Sequence, residues 1–178
     1  MPSGRRHDQI TWFLLPVVGA ISFFITKQWN MVTATSLSFL FSGLMFGPDL
    51  DIKSVQYARW GLLRWIWKPY QRAIRHRSLI SHGPLIGTLV RLWYILNVLV
   101  ICFALFAALD YLVTHKTNWN LSTILSSSFE FFGHQHRSEV IASLVGLELG
   151  SISHGLSDWL GSTYKKLNNF NKKRKRSR

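Results

Sequence analysis

Histidines and aspartates gather beside stretches of this chain that carry no charge. His7-Asp8 precedes the run ITWFLLPVVGAISFFIT (10–26), and Gly47-Pro48-Asp49-Leu50-Asp51 closes MVTATSLSFLFSGLMFG (31–47). His76-Arg77-Ser78-Leu79-Ile80-Ser81-His82-Gly83-Pro84 comes before LWYILNVLVICFALFAAL (92–109), and Ser153-His154-Gly155-Leu156-Ser157-Asp158 lies late in a fourth, less apolar stretch, 140–159. Polar groups in or beside apolar spans are costly, so they are functional candidates. Imidazole nitrogen and carboxylate oxygen make a mixed shell suited to Zn²⁺, with Mn²⁺ or Fe²⁺ as alternatives. The single cysteine, Cys102, excludes a cysteine-rich zinc site and an intramolecular disulfide. Candidate metal ligands are therefore His7, Asp8, Asp49, Asp51, His76, His82, His154 and Asp158. They exceed one tetrahedral shell, which leaves room for two ions, or for one ion backed by outer carboxylates.

Spacing gives each cluster a local form. Asp49 and Asp51 point the same way in an extended stretch, where side chains alternate. His76 and His82 are six apart and share no helical face, so a loop should carry them. Pro84 suits the first turn of a following helix. His154 and Asp158 are four apart and share one helical face, as two ligands of one metal do in other helical motifs. Each cluster taken singly also has a plain reading, as a cap, a turn or a surface pair. Taken together the plain reading weakens, because four of only 8 acidic residues fall in the set.

The elements that must hold these residues follow from composition. The chain has 178 residues, 48% hydrophobic and 16% charged, with a formal net charge of +13. Such a chain is not disordered over most of its length. The uncharged runs approach the about 17–25 residues that cross a bilayer, and the third extends to Pro84 and Val113 if Arg91 snorkels toward an interface. The fold class expected is all-α, a membrane helical bundle of about four transmembrane helices. With the N-terminus inside, segments 1–9, 48–84 and 161–178 hold 17 basic residues, whereas the outer segments hold only Lys27, Lys116 and Arg137. That bias predicts an integral membrane protein with both termini cytoplasmic, and it brings all four clusters to the inner helix ends.

The division expected is a membrane-embedded metal-binding domain over 1–160 and a basic, disordered tail over 161–178. Within the domain, the inner loop 48–84 alternates aromatic and basic residues in RWGLLRWIWKPY. It reads as an amphipathic surface helix, with Trp and Tyr at headgroup depth. The partners expected are membrane lipid and, at this loop and the tail, anionic lipid. Stacking aromatics beside arginines also suit single-stranded nucleic acid, but the flanking apolar spans favour the membrane, and no nucleic acid is expected. His134-Gln135-His136 falls in the outer loop and reads as solvated. No serine-hydrolase elbow, P-loop or dinucleotide glycine pattern occurs.

The elements SGRRHDQIT, FSGLMFGPDLD, RWGLLRWIWKPYQRAIRHRSLISHGPLIGT and SHGLSDW resemble, in order, those of bacterial metal-binding membrane proteins of unknown function, over about residues 3 to 160. More distantly they are similar to membrane-bound metal-dependent hydrolases, which share a P-D-x-D element, a central element with paired histidines and a late helical His with an acidic partner. The resemblance implies metal binding and a membrane location. The function expected is an integral membrane metal-binding protein acting as a metal-dependent hydrolase on an ester or phosphoester at the inner face. Arg77 would hold an anionic group of the substrate. The alternative is a non-catalytic, structural metal-binding membrane protein, in which the ion clamps the inner helix ends.

Overall fold

Where water is scarce a backbone satisfies its own polar groups best as a helix. The structure, a computed structural model that describes residues 4–76, 78–114 and 120–176, puts a long helix on each apolar run. In chain order the helices are α1 (Gly4–Thr26), α2 (Trp29–Leu44), α3 (Val55–Arg59), α4 (Lys68–Ala73), α5 (Leu79–His82), α6 (Ile86–Thr114), α7 (Leu121–Glu130) and α8 (Arg137–Arg176). Short 3-10 turns occupy Pro48–Asp51 and Gly61–Trp67, and a π-helical turn occupies Phe131–Gln135. No strand occurs among the described residues, so the fold is all-α, as the sequence predicts. Among the described residues, four stretches are long and apolar enough to cross a membrane: Arg6–Thr26, Trp29–Asp51, Ile86–Thr114 and Arg137–Thr163.

Small residues set the helix packing. A methyl group added at Gly146 would come 2.3 Å from the Thr35 carbonyl oxygen, and one at Gly150 would come 2.6 Å from that of Phe39. Only glycine allows α8 to approach α2 this closely, and GLELG at 146–150 is the small-xxx-small pattern of tightly crossing helices. α1 packs on α2 in the same manner, since a methyl at Gly43 would stand 2.5 Å from Thr11 Cγ2.

The segment between α2 and α6 departs from the expected surface helix. It is a chain of short turns around an aromatic core. Trp67 and Tyr70 are buried with Phe46. The Trp67 ring stands 5.7 Å from Phe46, 5.1 Å from Trp60 and 5.5 Å from Tyr94, centroid to centroid. Edge-to-face contacts with Phe46 and between the two indoles draw Trp60 and Trp67 inward, because an aromatic side chain buries more apolar area in a core than at an interface. The outward face keeps Leu62 (92% exposed), Leu63 and Trp65, with Lys68 Nζ 3.4 Å over the Trp65 ring.

Arg91 also departs from expectation. It is fully buried, where snorkelling would have left it at an interface. Its guanidinium donates to Ser81 O at 3.0 Å, Thr88 Oγ1 at 3.1 Å and Ser151 Oγ at 2.9 Å. These bonds replace the water that the charge gives up, and they tie α6 to α5 and α8. At the C-terminus α8 continues to Arg176, into the segment expected as a disordered tail. Lys and Arg are good helix formers, and no Gly or Pro follows Gly161 to stop the helix.

Candidate metal centre

The clusters converge. α1 supplies His7, the turn Pro48–Asp51 supplies Asp49 and Asp51, and the stretch before α5 supplies His76. α5 supplies His82, and α8 supplies His154 and Asp158. Two groups form. In one, ligand atoms of His7, His154 and Asp158 lie within 4.8 Å of one another; in the other, those of Asp49, His76 and His82 do. Asp49 joins the groups, with Oδ2 3.1 Å from His154 Nε2 and Oδ1 3.6 Å from His82 Nε2.

Hydrogen bonds behind the histidines fix their ring protons. The Ser157 hydroxyl donates to the His154 carbonyl at 2.8 Å. Its oxygen must therefore accept from His7 Nδ1, its other contact. His7 Nε2 is left without a proton, 3.4 Å from Asp158 Oδ1. The same logic holds on the other side. Ser81 donates to Asp51 Oδ2, so its oxygen accepts from His82 Nδ1 at 2.8 Å. His76 Nδ1 donates to Asp51 Oδ1 at 2.9 Å. In each ring one nitrogen's partner decides the tautomer, so in the neutral form of all three the lone pair lies on Nε2. His154 is held less firmly, with Gln56 Nε2 3.5 Å from its Nδ1, and its ring stacks on His7 at 3.9 Å between centroids.

This arrangement fits a cation. His82 Nε2 and His154 Nε2 are buried and make no hydrogen bond. Both lie near Asp49, His154 Nε2 at 3.1 Å and His82 Nε2 at 3.6 Å. Buried polar atoms without partners are costly. A divalent ion between these groups supplies the missing partner. The donors are nitrogen and oxygen with no thiolate, which suits Zn²⁺, Mn²⁺ or Fe²⁺.

The structure divides the sequence candidates. His7, Asp49, His76, His82, His154 and Asp158 face one another. Asp8 does not join them, because Arg59 grips both of its oxygens, with Nη1 2.9 Å from Oδ1. The same Arg59 atom reaches the Leu44 carbonyl at 2.8 Å, so this pair closes the end of α2. Asp51 is in neither group. It stands behind His76 and His82 and meets their Nδ1 atoms, the usual place of a carboxylate that orients ligands. Arg77, the expected substrate-binding residue, lies outside the described residues. Among the described residues, His134 and His136 take no part in either group.

Sequence reasoning passed over Ser81, Ser157 and Gln56. Both serines stand inside the quoted motifs, next to His82 and three residues after His154. A hydroxyl at such a spacing from a ligand is a usable signal. Gln56 has none, since its place beside His154 depends on the turn after α2.

Two cavities reach the centre. One of about 260 Å³ is lined by His7, Asp49, His154 and Asp158, together with Lys53 and Ser54. Another of about 410 Å³ begins at His82 and Asp158 and runs along α8.

No solved structure matches the chain. Over 60 residues it is 38% identical to an uncharacterized protein of Aquifex aeolicus (strain VF5). The match covers 33% of this chain and 42% of that relative's length. Residues 2–168 match one family model, so the chain belongs to the family described as uncharacterized metal-binding protein (DUF2227).

Proposed function

We propose that this protein is an integral membrane, metal-dependent hydrolase that cleaves an ester or phosphoester at the inner membrane face. The observation that carries the reading is the convergence of His7, Asp49, His76, His82, His154 and Asp158 in two ligand groups that two cavities reach. Structural metal sites are closed by their ligands, whereas catalytic sites keep a position open for water and substrate. The cavities therefore favour the hydrolase over the clamp. The four apolar helices and the inner charge bias support a membrane location with both termini cytoplasmic. The exposed Leu62, Leu63 and Trp65 with Arg64 and Lys68 suit an anionic lipid surface.

The chain's own residues divide the work. His7, His154 and Asp158 would hold one ion, and His76 and His82 a second, with Asp49 shared between them. Zn²⁺ suits this shell best, with Mn²⁺ or Fe²⁺ as alternatives. When bound, the metal supplies Lewis acidity toward water and the ester oxygen. Ser157, Ser81 and Asp51 keep each imidazole proton on Nδ1, so Nε2 stays free. Lys53, at the polar cavity, gives an anionic group a charge partner.

Elemental analysis of the purified full chain tests the reading, together with assay on a panel of phosphoesters and carboxylic esters. One to two divalent ions per chain are expected. His82→Ala and His154→Ala should lower that content and abolish metal-dependent turnover, while His134→Ala should change neither. Metal without turnover on any ester would favour the clamp; unchanged metal in both variants would refute the centre.

A further inference from the structure

The two cavities differ in the side chains that line them, and the difference bears on what is cleaved. The smaller one places Lys53, Ser54 and Gln56 beside the candidate ligands, together with Ile52 and Val55. The larger one has His82 and Asp158 at the centre and further on Pro84, Ile152, Leu156 and Trp159, together with Ser151 and Ser162. Leu156 and Trp159 are 54% and 62% exposed, and they continue the apolar surface of a stretch long enough to cross a membrane. At about 410 Å³ the larger cleft has the size of a small-molecule site, which is about 300–1,000 Å³. Asp158 lines both cavities, so the metal centre stands where they meet.

Gly155 forms part of the cleft wall. A methyl group added there would meet nothing within 4 Å. It therefore differs from Gly146 and Gly150, which exist to let helices touch. A glycine in mid-helix costs about 1 kcal/mol relative to alanine, and at Gly155 no packing contact requires it. A side chain much larger than a methyl would project from this position into the cleft.

We propose that the substrate is a membrane amphiphile with an anionic ester headgroup, its alkyl chain lying in the cleft along Ile152, Leu156 and Trp159. The headgroup reaches the metal centre and Lys53, and water enters through the polar cavity. The proposal rests on the metal-hydrolase reading but makes a separate claim, because a hydrolase of soluble esters has no use for the apolar cleft. An alkyl chain matches the cleft because Leu156 and Trp159, which line it, are exposed on the apolar stretch of α8. Lys53 makes an anionic headgroup the better match for the polar side.

The test uses the full chain, metal-loaded, in phosphatidylcholine nanodiscs. The probe is a hexadecylphosphonate carrying a diazirine on its chain, whose P–C bond resists hydrolysis. After illumination the labelled peptides are mapped by mass spectrometry. Labelling of 152–159 should saturate and should be displaced by excess plain hexadecylphosphonate. Gly155→Phe fills the cleft and should lower this labelling at least tenfold, while Gly155→Ala leaves it near the parent level. Metal content should be unchanged in both. Removing the metal with a chelator should also weaken labelling, since the headgroup then loses its anchor. Labelling of 152–159 that does not saturate, or that persists in Gly155→Phe, overturns the proposal. Turnover of p-nitrophenyl phosphate, measured in parallel, separates the two readings. If it survives in Gly155→Phe while labelling is diffuse, the hydrolase stands and the amphiphile falls. If labelling is specific but no ester is turned over, the amphiphile site stands and the hydrolase falls.

Discussion

Ser157→Ala isolates the claim that the metal centre is tuned from behind. Ser157 Oγ gives its proton to the His154 carbonyl at 2.8 Å and accepts one from His7 Nδ1. Alanine removes the acceptor, and His7 Nδ1 then has no protein partner to hold its proton. The ring can shift the proton to Nε2 or rotate, and each change takes the lone pair away from Asp158. Loss of such an orienting partner typically lowers metal affinity about 10–100-fold. That is about 1.4–2.7 kcal/mol. The matched control is Ser153→Ala. Ser153 is also buried in α8 and donates to a carbonyl one turn back, Gly150 O at 2.9 Å, but no hydrogen bond links it to a histidine. Both variants lose one hydroxyl-to-carbonyl bond, so the stability cost common to them cancels. Competition against a chromogenic chelator gives the apparent affinity of each. Ser157→Ala should bind metal at least tenfold more weakly than Ser153→Ala, with similar unfolding temperatures. Affinities within twofold of each other would refute the tautomer argument.

Gly150→Leu should lower metal content sharply with every candidate ligand intact, because even a Cβ there would lie 2.6 Å from Phe39 O and Ser42 Cβ; metal content at the parent level in the folded variant would show that the α2–α8 contact does not set the centre. Reporter fusions after Arg178 and within 115–119 should report opposite sides of the membrane, with the C-terminal one inside; the same side for both would break the four-span arrangement.

The candidate ligands were legible because their residue types are rare in so apolar a chain. A histidine or aspartate beside a long uncharged run has few ordinary reasons to be there. Their convergence was legible too, since the four-span arrangement expected from the sequence, with both ends on one side, would bring all four clusters to one level. How the carboxylates divide was not legible. Asp8 and Asp158 look alike in sequence, and Asp8 is diverted only because α3 presents Arg59 to it from 51 residues away. Asp49 and Asp51 share a short motif, yet their 3-10 turn aims one at the centre and the other behind it. Period-two reasoning assumed an extended chain and so placed both on one side. The inward turn of Trp67 and the burial of Arg91 depend on partners that no local pattern names. In the loop Trp67 is covered by Tyr94 of α6, and Arg91 by a carbonyl in α5 and a hydroxyl in α8.

One ridge of α8 links packing to chemistry. Gly146, Gly150, His154 and Asp158 follow one another at intervals of four. Residues four apart in a helix lie nearly in line, turning about 40° per step. The first two positions are glycines and press against the backbone of α2 at Thr35 and Phe39. The next two lie further along the same line, where α2 has ended and the turn Pro48–Asp51 has begun. A ridge that keeps its direction must then meet that turn, and His154 Nε2 does so, 3.1 Å from Asp49 Oδ2. Glycine contact and ligand contact are thus two parts of one helix crossing. A displacement at Gly150 is carried one turn on to His154, because the helix is stiff over that length. The close approach of backbones in the apolar layer is therefore what brings a nitrogen from α8 and an oxygen from the turn after α2 to within reach of one ion.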